Sequence, residues 1–142
     1  MIWRISNDHC SCDVALNLYH EARGEPLAGQ YAVGLSVINR VRDKRYPDNV
    51  CDVVHQAKYH GWDQENPIRN QCQYSWFCDG HSDHPQDGKA MLEATVLAQY
   101  ILTDIKIDIT EGATHYHAAY VHPYWADHMT AVVQIGEHIF YR

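Results

Sequence analysis

Apolar positions recur along this chain with a helical period at first, lose it in the middle, and regain it before the C-terminus. Between residues 11 and 23, Val14, Leu16, Leu18 and Tyr19 gather roughly on one side of a helix, with Ser11 or Asp13 available as its N-cap. Gly24 and Pro26 end it, because glycine suits the position just past a helix and proline disfavours a helical residue before itself. A second helix, over about 28–43, turns Ala32, Leu35, Ile38 and Val41 inward and stops before Pro47. A third, short one starts at Asp48 as N-cap and runs through "NVCDVVHQA". Residues 58–86 are rich in Gly, Pro, Asn, Asp and aromatics and read as a long loop region, of the kind that carries function or holds short strands. "QDGKAMLEATVLAQYILTD", 86–104, is the clearest long helix; "ATHYHAAY" reads as a short strand or extended segment, and "AVVQIGEHIFYR" as a hairpin turning at Gly136-Glu137. The sum is a mostly helical α+β fold with a small β-hairpin or sheet. At 142 residues it forms one domain, 1–142.

Composition narrows the function classes. An apolar content of 46% with scattered charge predicts a folded globule. A net charge of −7 and the lack of any basic stripe exclude a nucleic-acid binder. No apolar run approaches a membrane span, so no membrane insertion is expected. The N-terminus, "MIWRISNDHCSC", lacks the apolar core of a secretory signal, which implies a signal removed or another route out of the cell. The 11 histidines outweigh the net charge of −7, so full protonation would reverse the sign of the surface charge. Five cysteines, at 10, 12, 51, 72 and 78, fit no zinc-ribbon or finger spacing and leave at least one thiol unpaired within a monomer. Cys72 and Cys78 bracket "CQYSWFC" and are the first candidates for a disulfide; so many cysteines lean towards an oxidising destination.

Candidate chemistry concentrates in "LNLYHEARGEPLAGQ", residues 16–30. If the first helix ends near Arg23, Glu21 lies in its last turn, where the negative end of the macrodipole and any packing of Tyr19 and Ala22 disfavour an ionised carboxylate. A glutamate that keeps its proton near neutral pH is what a general acid needs. Arg23 pulls the other way, to an extent set by where it folds back. Glu25 precedes proline and belongs to extended backbone outside the helix. On spacing alone the two glutamates remain open between a catalytic pair, one acid with a neighbour, and two helix-end charges.

Read as a string, "EARGEPLAGQYAVGLSVINRV", followed by "YP" and "VCDVVHQ", resembles the cell-wall hydrolase family of the spore-cortex-lytic enzyme SleB. "CQYSWFCDG" (72–80) and "GATHYHAAYVHPYWADHMTAVVQIGEHIFYR" (112–142) extend the resemblance in order over nearly the whole chain. It implies a lysozyme-like lytic transglycosylase domain that cleaves the MurNAc–GlcNAc β-1,4 bond of peptidoglycan and leaves a 1,6-anhydro-muramyl end. The first glutamate of the "EARGE" block, the family's acid, corresponds to Glu21. By the same resemblance Gln73, Tyr74 and Ser75 form one wall of the sugar cleft and His115, Tyr116 and Trp125 another. Glu25 need not be a catalytic partner and reads as a structural or cleft-edge carboxylate. Family members often carry Phe where Tyr74 stands, which suggests a packing role for that ring. Asn39, polar within an apolar helix, is expected to satisfy nearby backbone. No metal or other cofactor is implied. The expected partner is the glycan strand, bound by a monomer acting in the periplasm or outer wall. Many family members add a secretion signal and a wall-binding module; a single domain without them suits a phage endolysin released through a holin-made hole, or a trimmed protein.

Three rivals follow from the residues. A hydrolytic muramidase differs only in taking water as acceptor. A zinc amidase or peptidase would draw on His115, His117, His122 and His128, although "HEARGE" lacks the second histidine of H-E-x-x-H. A non-catalytic wall-binding module would use the aromatics without turnover.

Overall fold

A computed structural model describes residues 8–103 and 106–142, with the side chains of 8–10 left aside. The N-terminal stretch to residue 7 and position 104, the predicted end of the long helix, therefore lie outside the described residues. Helix α1 spans Asp8–Ala22, α2 Leu27–Arg42, α3 Val50–Val54 and α4 Gly88–Ile101. Strands β1 (Ala57–His60) and β2 (Asp63–Cys72) form one antiparallel hairpin; β3 (His115–Ala118), β4 (Ala131–Ile135) and β5 (His138–Tyr141) form a three-stranded antiparallel sheet in the order β3-β5-β4. The architecture is the expected mostly helical α+β one.

Several predicted boundaries move for identifiable reasons. Ser11 and Asp13 lie inside α1, so neither caps it. α3 is capped by Asn49, whose side chain accepts from the Asp52 amide, rather than by Asp48. Asp87 caps α4 in the same way, through Ala90. Within 58–86 the structure places a hairpin, followed by a single 3₁₀ turn at Ser75–Phe77. β5 and β4 meet across the Gly136-Glu137 turn as predicted, with a bulge between Ala131 and Val133.

α2 is the centre of the molecule. Ala32, Val33, Leu35, Val37, Ile38 and Val41 are all buried, so its apolar surface extends well beyond one stripe. Gly34 makes the close approach possible: a Cβ there would meet Ile101 Cδ1 at 2.2 Å and Leu18 Cδ2 at 3.3 Å. Val14, Leu18 and Tyr19 of α1, Val53 and Val54 of α3, Ala94, Ala98 and Ile101 of α4, and Phe140 of β5 complete one contiguous core. Asn39 behaves as expected and satisfies backbone. Its amide donates to the Ala113 carbonyl at 2.9 Å and to Asp108 Oδ2 at 3.0 Å, tying the segment that enters β3 onto α2. Cys72 and Cys78 are joined by the expected disulfide, which closes the loop carrying residues 73–77; Cys12 is a free thiol.

Candidate active site

Glu21 stands in the last turn of α1, and the chain leaves the helix immediately after Ala22. Gly24 adopts φ +90°, the left-handed conformation a residue past a helix end requires, and the Glu25 amide bonds back to the Ala22 carbonyl at 3.0 Å. Burial raises the Glu21 carboxyl above its ordinary pKa; the Tyr116 hydrogen bond, His20 and Arg40 oppose the shift. The Tyr116 hydroxyl donates to Glu21 Oε2 at 3.0 Å. Burial, followed by the neighbouring Glu21 charge, holds the Tyr116 phenol well above its usual range, so it remains a donor. Arg23 is not part of this balance. It folds back over the Tyr19 ring, 4.6 Å from its centre, and bonds the Tyr19 hydroxyl.

Glu25 faces elsewhere. Its Oε2 accepts the Glu137 amide at 3.2 Å and its Oε1 lies 3.4 Å from His138 Nδ1, both side chains largely buried. Gly136 is needed at the turn beneath it, since a Cβ there would stand 2.4 Å from Glu25 Oε2. The second glutamate thus anchors the β4–β5 turn to the end of α1. His138 connects the two environments: its ring packs 5.0 Å from that of Tyr116, and burial holds its pKa down despite Glu25.

The pleat of β3 sorts the remaining candidates. Tyr116 shares one face of the sheet with Phe140 and His138, towards the helices. His115 and His117 take the opposite face with Tyr141, and Trp125 covers them at 5.1, 5.6 and 5.3 Å. The expected single wall of His115, Tyr116 and Trp125 is therefore divided: adjacent residues of a strand point apart. Burial, with the charges of Arg40 and Arg45, pushes His115 down to about 4, so it is neutral in ordinary buffers. The expected wall of 73–75 is divided too. Gln73 and Ser75 are exposed, whereas Tyr74 is 3% exposed and offers no ring face to a sugar. The ring packs in the interior instead. Arg40, missed in the sequence because it reads as one more charge in a polar helix end, is buried with its guanidinium near the Tyr46 and Tyr74 rings.

Three histidines of the zinc reading are held by separate partners. His117 bonds the Tyr141 hydroxyl and Ala118 carbonyl, His122 pairs with Asp127, and His115 meets Thr114. Among the described residues no three His, Cys, Asp or Glu side chains converge as a metal site.

The profile of the Cell Wall Hydrolase family matches residues 24–141. The chain belongs to the cell wall hydrolase family. Two curated relatives of this hydrolase are spore cortex-lytic enzymes. That of Halalkalibacterium halodurans is 44% identical over 43 residues, 30% of this chain and 13% of the relative. That of Oceanobacillus iheyensis is 42% identical over 41 residues, 29% of this chain and 15% of the relative. The matched stretch is thus a small part of each relative's own length. Among solved structures, the catalytic domain of the germination-specific lytic transglycosylase SleB from Bacillus anthracis superposes with a TM-score of 0.69 at 22% identity, over 99% of this chain and 100% of that one. The catalytic domain of Bacillus cereus SleB gives 0.64 at 24% identity, over 94% and 91%. The cell wall hydrolase has the fold of those domains. Glu21 lies just ahead of the matched family segment.

Proposed function

We propose that this cell wall hydrolase is a lytic transglycosylase that cleaves the MurNAc–GlcNAc β-1,4 bond of peptidoglycan with Glu21 as sole acid and base. One observation carries the reading: a desolvated glutamate at a helix end, its carboxyl shifted by burial towards holding its proton and its oxygen held by Tyr116, with the neighbouring carboxylate of Glu25 turned away to the hairpin. Conventional glycosidases need a second carboxylate at a defined separation. In a transglycosylase the sugar itself supplies the nucleophile. Glu21 gives its proton to the glycosidic oxygen as the C1–O bond breaks, and the N-acetyl group stabilises the charge left on C1. The C6 hydroxyl oxygen then bonds to C1 and returns its proton to the Glu21 carboxylate. One bond breaks, one forms, no water is consumed, and the acid is regenerated.

Exposed Gln73 and Ser75 are the polar groups proposed to bond sugar hydroxyls and acetamido groups, and Tyr116 the ring beside the reacting atoms. His115 and Trp125 remain proposed glycan contacts only at the outer face of the sheet. The 1–142 domain acts as a monomer on glycan strands in the periplasm or outer wall, as an endolysin does. The disulfide suits that oxidising setting, and no described helix is long and apolar enough to cross a membrane. Mass spectrometry of digested sacculi decides the chemistry: anhydro-muropeptides are expected, and reducing MurNAc ends would make the protein a hydrolytic muramidase.

A further inference from the structure

Arg40 is 3% exposed, and a guanidinium keeps its charge at any ordinary pH. Buried charges are normally paired, since an unpaired one is strongly destabilising. Among the described residues, Arg40 has no carboxylate within ion-pairing distance. Its Nε donates to the Thr114 carbonyl at 2.7 Å, its Cζ lies 5.1 Å from the Tyr46 ring centre and 5.7 Å from that of Tyr74, and Nη1 has no partner among the described residues. Thr114 and Tyr116 are carried on one short run of backbone. The carbonyl that fixes Arg40 and the hydroxyl that holds Glu21 are therefore set by the same piece of chain. Tyr74, equally buried, is next to the guanidinium and within electrostatic reach of both Glu21 and Tyr116.

We propose that Arg40 is the positioning residue of Glu21, an internal counter-charge that steadies the carboxylate left when the glutamate gives up its proton. This deepens the reading of Glu21 as acid and base and takes its catalytic meaning from that reading. Tyr116 on β3 touches Glu21, with His138 behind it on β5; His20 on α1 and Arg40 on α2 act on Glu21 through space, and Tyr74, before the 3₁₀ turn, lies beside the Arg40 guanidinium. The two phenols are held neutral by burial, and His138 is biased towards neutrality for the same reason. Arg40 is the fixed positive charge of this set. Burial and the helix end both favour a protonated Glu21, and unopposed they would make proton release too costly. A buried cation that cannot deprotonate offsets that cost without ever competing for the proton.

The test is a carboxyl titration of Glu21 in the intact chain. Glutamate is ¹³C-labelled, and the Glu21 signal is identified by its loss in Glu21→Gln. In Arg40→Met the midpoint is expected to rise by about one unit, a tenfold tighter hold on the proton. Arg40→Lys, which restores the charge, should return it to the native value. If Arg40→Met does not fold, Arg40→Gln keeps a donor for the Thr114 carbonyl, removes only the charge and should raise the midpoint likewise. An unchanged midpoint in the neutral variant, or an equal rise in Arg40→Lys, overturns the proposal. The alkaline limb of sacculus clearing should move to higher pH together with the midpoint. A midpoint that moves while this limb stays fixed supports the Arg40–Glu21 coupling and instead removes Glu21 as the reacting acid.

Discussion

Glu21 and Glu25 are close in sequence, yet the positive-φ turn at Gly24 sends one carboxylate against Tyr116 and the other onto the Gly136-Glu137 turn. Glu21→Gln should abolish clearing of purified sacculi, a loss of at least about 10²-fold for a general acid, with the fold retained by circular dichroism. The stability change has a sign that depends on pH. A carboxyl whose folded pKa is raised binds its proton more tightly when folded, so it costs stability as pH rises above the unfolded value of 4.5. Glu21→Gln should melt at about the native temperature near pH 4 and above it at pH 7; a lower melting temperature at pH 7 would contradict the desolvated acid. Tyr116→Phe removes a hydrogen bond that favours the ionised form, so the Glu21 pKa should climb further. Turnover should fall by about tenfold, the worth of one hydrogen bond to a charged group, as read from clearing rates.

The helices and the hairpin divide the work of building this site. Glu25→Gln retains an acceptor for the Glu137 amide and should leave clearing largely intact, whereas Glu25→Ala leaves that amide and His138 without their partner. Unfolding in urea should show a loss of about 1–3 kcal/mol for the alanine variant; a Glu25→Gln as inactive as Glu21→Gln would restore the catalytic pair. Gly34→Ala forces a Cβ onto Ile101, itself fully buried with nowhere to turn, and should cost about 1–3 kcal/mol by the same measurement. α1, α2 and the β4–β5 hairpin were legible because each carries a strong local signal: helical periodicity ended by Gly24 and Pro26, and Gly-Glu between apolar runs. The β1–β2 hairpin was not. β2 is mostly exposed and lacks apolar alternation, Asp63 makes side-chain bonds to the Glu65 and Asn66 amides, Asn70 adopts φ 63°, and the register slips twice.

At the scale of the whole molecule, what the sequence could not convey is which face each residue meets. Glu21 was readable from a helix end, but Arg40 is one of several charges at the end of α2, and only the packing of α2 at the centre of the core shows that it is the buried one. His115 and Tyr116 are adjacent letters that the pleat sends to opposite sides of a sheet. Sequence proximity likewise made His115, His117, His122 and His128 look like a ligand set, and the fold gives the first three different partners: a Thr114 hydroxyl, a Tyr141 hydroxyl and an Asp127 carboxylate. The proposed reaction needs one carboxyl and the substrate's own hydroxyl. Prolonged dialysis against EDTA should therefore leave the clearing rate within about twofold of the untreated protein, a change well under the ~1.4 kcal/mol that a tenfold effect represents. Loss of activity on chelation, recovered by added zinc, would mean that those histidines rearrange into a metal centre and that the bond cleaved is an amide of the wall peptides rather than a glycosidic one.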